Sequence, residues 1–222
     1  MATVTKPTLL TAEQFYDWAN RPENRDRPCE LERGRIVEMS RPGMLHGMVC
    51  ANVARILGNY AVARQRGYVC SNDTGVIVER GPDTVRGPEV LFFEDADDVE
   101  DVDPHYSETP ALLAVEVLSP NDTAGKVARR VNEQLRFGTR LIWVLDPDAR
   151  NVIVHRADAR EEVVEETEVL TGNGILADFR CRVAEFFALP GKQRSESSHE
   201  RPPRKPGGQR RHPRKGRSEP RP

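Results

Sequence analysis

Ala111-Leu-Leu-Ala-Val-Glu-Val-Leu118 is the stretch that decides the fold. Seven of its eight residues are hydrophobic, and no polar alternation leaves a face for solvent. Such a run reads as a strand buried on both sides, in the middle of an α/β sheet. Glu116 is stranded inside it. A carboxylate in that position must shift its pKa, find a partner or hold a cation, because burying it ionised and alone is strongly unfavourable. Side chains alternate along a strand, so Ala114, Glu116 and Leu118 share one face, and the small Ala114 leaves room beside the acid. Upstream, Arg86-Gly-Pro-Glu-Val-Leu-Phe-Phe93 sets a second acid, Glu89, at the opening of another apolar run.

Working outward, Pro120-Asn-Asp-Thr123 ends the Glu116 strand, and Asp122 or Thr123 caps a helix running to Phe137. Gly138 closes that helix, residues 140–146 return as a strand, and Pro147-Asp148 turns into an antiparallel strand over 151–155. Strand–helix–strand predicts one right-handed parallel crossover. Toward the N-terminus, Thr11-Ala-Glu-Gln14 is a capping box opening a helix to about residue 19. Residues 30–39 form a hairpin around Arg33-Gly34, and 47–65 carry apolar residues at helical period. Residues 68–78 read as one strand kinked at Asn72-Asp73. A short strand near Val169 and a helix over 183–188 complete the body. The expected fold class is α/β, a mixed central sheet flanked by helices with an added N-terminal helix and hairpin.

The formal charge of −2 hides an asymmetry. Residues 191–222 hold 11 Lys and Arg against 3 Asp and Glu, six prolines and no aromatic or branched aliphatic residue. The body keeps 22 of the 33 basic and 32 of the 35 acidic residues. This predicts a domain over 1–190 and a disordered basic tail over 191–222, which could attract nucleic acid by charge alone. Four scattered cysteines without a Cys-x-x-Cys pair argue against a zinc ribbon and read as reduced thiols. No signal-peptide pattern and no apolar stretch near 18 residues is present, so the expectation is a cytoplasmic protein without a membrane span.

Two carboxylates on neighbouring strands, followed by a basic helix, suggest a divalent-metal site for phosphodiester chemistry. That reaction needs a hydroxide at neutral pH and neutralisation of charge on phosphorus, which a metal held by carboxylates can supply. Mg²⁺ prefers a few oxygen ligands and retains waters, so two or three acids suffice, with the Val117 carbonyl as a further ligand. Blander readings are also open. Glu116 could pair with an arginine, Glu89 could be an exposed acid, and Glu30 in its hairpin reads as a surface residue. His46 reads as a cap or packed edge, and the acidic run from Asp95 to Asp101 as a solvated loop.

The chain resembles the putative restriction-endonuclease family of bacteria, within the PD-(D/E)XK nuclease superfamily, over residues 10–189. The landmarks are Glu30-Leu31 with Gly34 and Ile36-Val-Glu38, His46-Gly47, Asp73-Thr-Gly75, Arg86-Gly-Pro-Glu-Val90, Val115-Glu-Val-Leu-Ser-Pro120, Gly138 and Trp143-Val-Leu-Asp-Pro147. The resemblance implies a restriction-endonuclease-like core and Mg²⁺-dependent DNA cleavage, with Mn²⁺ as a substitute. It makes Glu89 and Glu116 the metal carboxylates, places Glu30 near the same metal, and puts Arg130 on the following helix where the family more often has lysine. Glu89 stands where aspartate is usual, and Leu118 where the superfamily's lysine normally lies. Lys126, one turn before Arg130, is a candidate substitute. Arginine can clamp a phosphate but is a poor proton-transfer group. Two readings therefore stand: a Mg²⁺-dependent endonuclease acting on DNA, or a catalytically silent DNA-binding or regulatory module of the same fold. A twofold dimer would suit symmetric duplex cleavage.

Overall fold

A capping box starts the first helix: Thr11 Oγ1 accepts from the Gln14 amide at 3.3 Å, and Gln14 Oε1 accepts from the Thr11 amide at 3.0 Å. The computed structural model describes residues 9–189. In chain order its elements are α1 (Ala12–Ala19), β1 (Cys29–Glu32), β2 (Arg35–Glu38), α2 (Met44–Arg64), β3 (Tyr68–Ser71) and β4 (Val76–Glu79). There follow β5 (Thr84–Arg86), β6 (Val90–Phe93), β7 (Leu113–Val117), α3 (Ala124–Phe137) and β8 (Leu141–Asp146). The last are β9 (Asn151–Arg156), β10 (Ala159–Val164), β11 (Val169–Thr171) and β12 (Arg180–Arg182). The basic tail expected over 191–222 lies outside the described residues.

The central sheet has six strands in the order β10-β9-β8-β7-β6-β3. Only β7 and β8 pair in parallel, with Val115 opposite Trp143; the neighbouring pairings are antiparallel. All five residues of β7 are buried, as the apolar run predicts. Leu113, Val115 and Val117 face one core with Val49, Val53 and Leu57 of α2. Ala114 faces the other, with Val131 of α3 and Ile142 and Val144 of β8. Each such side chain contributes about 1.5–3 kcal/mol on burial, so β7 is held from both sides. Alternation then aims Glu116 at α3.

Helix α3 follows its sequence signals. Thr123 Oγ1 caps it by accepting from the Lys126 amide, and Gly138 at φ 118° ends it in the left-handed region. Val127, Val131 and Leu135 form its packed stripe.

A second sheet, β2-β1-β5-β4, packs with α1 around Phe15, Leu31 and Val85. Here the structure corrects the expectation of one kinked strand over 68–78. Asn72 and Asp73 adopt φ of 65° and 54°, which breaks the strand, sending β3 to the large sheet and β4 to the small one. The chain crosses back between β5 and β6, at Gly87-Pro88-Glu89. The helix expected over 183–188 is a 3₁₀ turn over Val183–Phe186. Among the described residues, no helix is long and apolar enough to cross a membrane.

Candidate active site

Glu116 is 4% exposed. Burial pushes its carboxyl up to about 8, the negative charge of Glu89 adds to the rise, and Arg130 opposes it. Arg130 reaches down from α3, its Nε 2.7 Å from Glu116 Oε2. That approach is a charge contact rather than a directed hydrogen bond, since Nε has no hydrogen-bonding partner. The directed bonds go elsewhere: Nη1 and Nη2 both donate to Asp122 Oδ1 at 3.1 Å. Asp122 is itself anchored, its Oδ2 accepting from the Ser119 amide and hydroxyl at 2.9 Å. The turn after β7 thus tethers the guanidinium beside Glu116.

Glu89 arrives from the crossing between the sheets. Strand β6 begins at Val90, opposite Val115, so it ends short of the Val117 amide. Glu89 Oε2 accepts from that amide at 3.0 Å in place of a backbone carbonyl. Its Oε1 lies 3.3 Å from His46 Nε2, and the same nitrogen lies 2.9 Å from the Val117 carbonyl oxygen. Contacts with the Cys50 sulfur and the Glu89 carboxylate raise the imidazole to about 10, against the effect of burial. His46 therefore presents a positively charged N–H to two oxygens, one from the crossing and one from β7.

Glu30 is buried in β1, contrary to the surface reading of its hairpin. Both its oxygens are engaged: Oε2 accepts from Arg86 Nη1 at 2.9 Å and Oε1 from the Gly87 amide at 3.0 Å. Arg86 also meets Glu133 of α3 through Nε at 2.7 Å and Nη2 at 3.2 Å. Burial alone would lower the Arg86 pKa, but the Glu133 hydrogen bond and the charges of Glu30 and Glu133 outweigh it. Asp73 lies within electrostatic reach of Glu89, His46 and Glu30. Solvent reaches its side chain, yet desolvation and then the charge of Glu89 raise its carboxyl.

The residues can be tested against a divalent cation. Glu89 Oε1 and the Val117 oxygen already converge on one cationic donor, the His46 N–H, and Glu116 lies beside them with its carboxyl raised first by burial and then by the charge of Glu89. All three are hard oxygen donors, as Mg²⁺ requires. Among the described residues no group of three or more His, Cys, Asp or Glu side chains is placed to hold a metal ion. A cation on Glu89, Glu116 and the Val117 oxygen would have to keep several waters.

Glu89 meets the Val117 amide and Arg130 meets Glu116, so these four residues lie together, and Glu30 is engaged by Arg86 and Gly87. Lys126 does not join them: it is exposed in the first turn of α3, with no ion pair among the described residues. From the sequence His46 reads as a cap or packed edge, and Arg86, Asp122 and Glu133 have no role at the site there. The signal for Arg86 was its place three residues before Glu89.

No curated protein matches the sequence. A solved structure of a putative nuclease belonging to DUF820 from Anabaena variabilis is similar with a TM-score of 0.66, over 80% of this chain and 97% of that one. At 18% identity that likeness shows the fold, a restriction-endonuclease-like arrangement of a mixed sheet flanked by helices. The family model of Uma2, putative restriction endonuclease, matches residues 12–184, and the chain belongs to that family.

Proposed function

We propose that this protein is a Mg²⁺-dependent endonuclease that hydrolyses DNA phosphodiester bonds, on a PD-(D/E)XK-type site. The observation that carries the reading is the convergence of Glu89 Oε1 and the Val117 carbonyl on one cationic N–H, with Glu116 buried beside them. Glu89, Glu116 and the Val117 oxygen would hold the metal, which Mn²⁺ could replace. When bound, the cation supplies an activated water and neutralises charge on the phosphate. Arg130, tethered by Asp122, offers a fixed positive charge for a phosphate oxygen and no proton transfer. His46 holds a proton between Glu89 and Val117 and must yield those oxygens to the metal. Lys126, exposed on the same helix, would meet a neighbouring DNA phosphate. Supercoiled plasmid with Mg²⁺ or Mn²⁺ tests this. Nicking should appear with metal, vanish with chelator, and fall at least about 10³-fold in Glu89→Ala and Glu116→Ala, because metal stabilisation of the transition state is worth several kcal/mol.

A specific contact favours a second reading, a catalytically silent DNA-binding module. Arg130 Nε lies 2.7 Å from Glu116 Oε2, so cation and carboxylate neutralise one another. That reading predicts DNA binding without nicking at any metal concentration, in wild type and Glu116→Ala alike.

A further inference from the structure

The crossing that delivers Glu89 is held from three directions at once. Arg86, the last residue of β5, is 4% exposed and meets Glu30 of β1, Glu133 of α3 and, at 3.7 Å, Glu32. Gly87 gives its amide to Glu30 Oε1 at 3.0 Å, and a Cβ there would sit 2.7 Å from the Asp73 carbonyl oxygen. Backbone therefore packs on backbone at this point, and only glycine fits. Pro88 is buried, and Glu89 follows with its oxygens on the Val117 amide and His46. A planar guanidinium can serve two carboxylates in fixed directions, which an ammonium cannot.

We propose that Arg86 is a positioning residue: by bridging Glu30 and Glu133 it fixes the sheet-to-sheet crossing so that Glu89 meets the end of β7, and Glu30 acts through this clamp rather than on the metal. The clamp also reaches α3 three residues beyond Arg130, so one side chain ties the crossing with the acid to the helix with the cation. The proposal rests on the metal-site reading given above, but its main readout does not need a metal.

The test uses the full chain and three near-isosteric or charge-conserving variants, Arg86→Lys, Glu133→Gln and Glu30→Gln, each checked for folding by circular dichroism. Amide hydrogen exchange is read by NMR at Val117, whose partner is Glu89, and at Val115, whose partners are backbone. In the folded variants Val117 should exchange at least about 10-fold faster while Val115 keeps its wild-type rate, since local openings differ from global ones. Arg86→Lys should not restore Val117, because the fork rather than the charge does the bridging. A part that is merely structural would move both amides together, and that result, or an unchanged Val117 in every folded variant, would overturn the proposal. Calorimetric titration with Mn²⁺ adds a second arm, with about 10-fold weaker binding expected in Arg86→Lys. Wild type that binds no Mn²⁺ would sink the metal-site reading, while the Val117 amide would still decide for or against the clamp.

Discussion

The two acids proposed to hold the metal are supported in different ways. Glu116 sits within β7, among four buried neighbours, paired with Val144 of β8 and one residue past the end of the β6 pairing at Val115. Glu89 stands just outside β6, in a three-residue passage between two sheets, where no ladder holds it. Its place comes from charge: the Glu30–Arg86–Glu133 bridge before it and the Val117 amide after it. One acid is placed by hydrophobic packing and suffers electrostatically for it. The other is half-buried and placed by electrostatics. A site assembled from two such supports should respond differently when each is attacked.

The largest difference should appear on breaking the clamp. Arg86→Met leaves Glu30 and Glu133 facing each other without a counter-charge, and losing one partner of a buried pair costs about 3–5 kcal/mol. Urea denaturation of the metal-free protein at pH 7 should show that loss. By contrast Glu116→Gln should cost less than about 1 kcal/mol there, since it removes a carboxyl that burial disfavours while Arg130 retains Asp122.

A smaller effect should follow pH. The folded-state pKa of Glu116 is raised from its ordinary 4.5 to about 8, so the folded protein holds a proton that the unfolded chain releases. Its contribution is fully present below about pH 4.5 and is lost as pH rises through 8, on the order of 5 kcal/mol. His46, raised from 6.5 to about 10, has the same sign at higher pH. Metal-free wild type should therefore lose stability between pH 5 and 8, and Glu116→Gln should flatten most of that slope. A wild-type profile rising over the same range would mean that Arg130 keeps Glu116 ionised and stabilised.

Smaller still are the basic groups of α3. If a fixed charge is all the phosphate needs, Arg130→Lys should change the single-turnover rate by less than about 10-fold. Acceleration beyond that would show that proton transfer limits the present protein. Lys126→Ala should leave the rate alone and make the salt dependence of DNA binding shallower by about one unit. An inactive Lys126→Ala beside an active Arg130→Ala would reverse the assignment.

How much of this was legible follows the same division. The burial of β7, the cap and stop of α3 and the inward Glu116 could be read because local apolar pattern and turn chemistry determine them. Glu89 could be read as an acid opening a strand. Its clamp could not, because Glu30, Arg86 and Glu133 are distant in sequence and no local pattern announces a buried triad. Nor could the break at Asn72-Asp73, where two residues in the left-handed region send consecutive strands to different sheets. His46 was visible as a residue but not as a partner, since its neighbours Glu89 and Val117 come from other elements.

The central claim is that these differently supported acids serve one cation. Calorimetric titration of the full chain with Mn²⁺, alongside Glu89→Gln and Glu116→Gln, tests it most directly. One binding event is expected in wild type, weakened at least about 10-fold by either substitution, because each removes a charged oxygen donor from the same ion. Equal Mn²⁺ affinity in wild type and both variants, or no binding in any of the three, would contradict it.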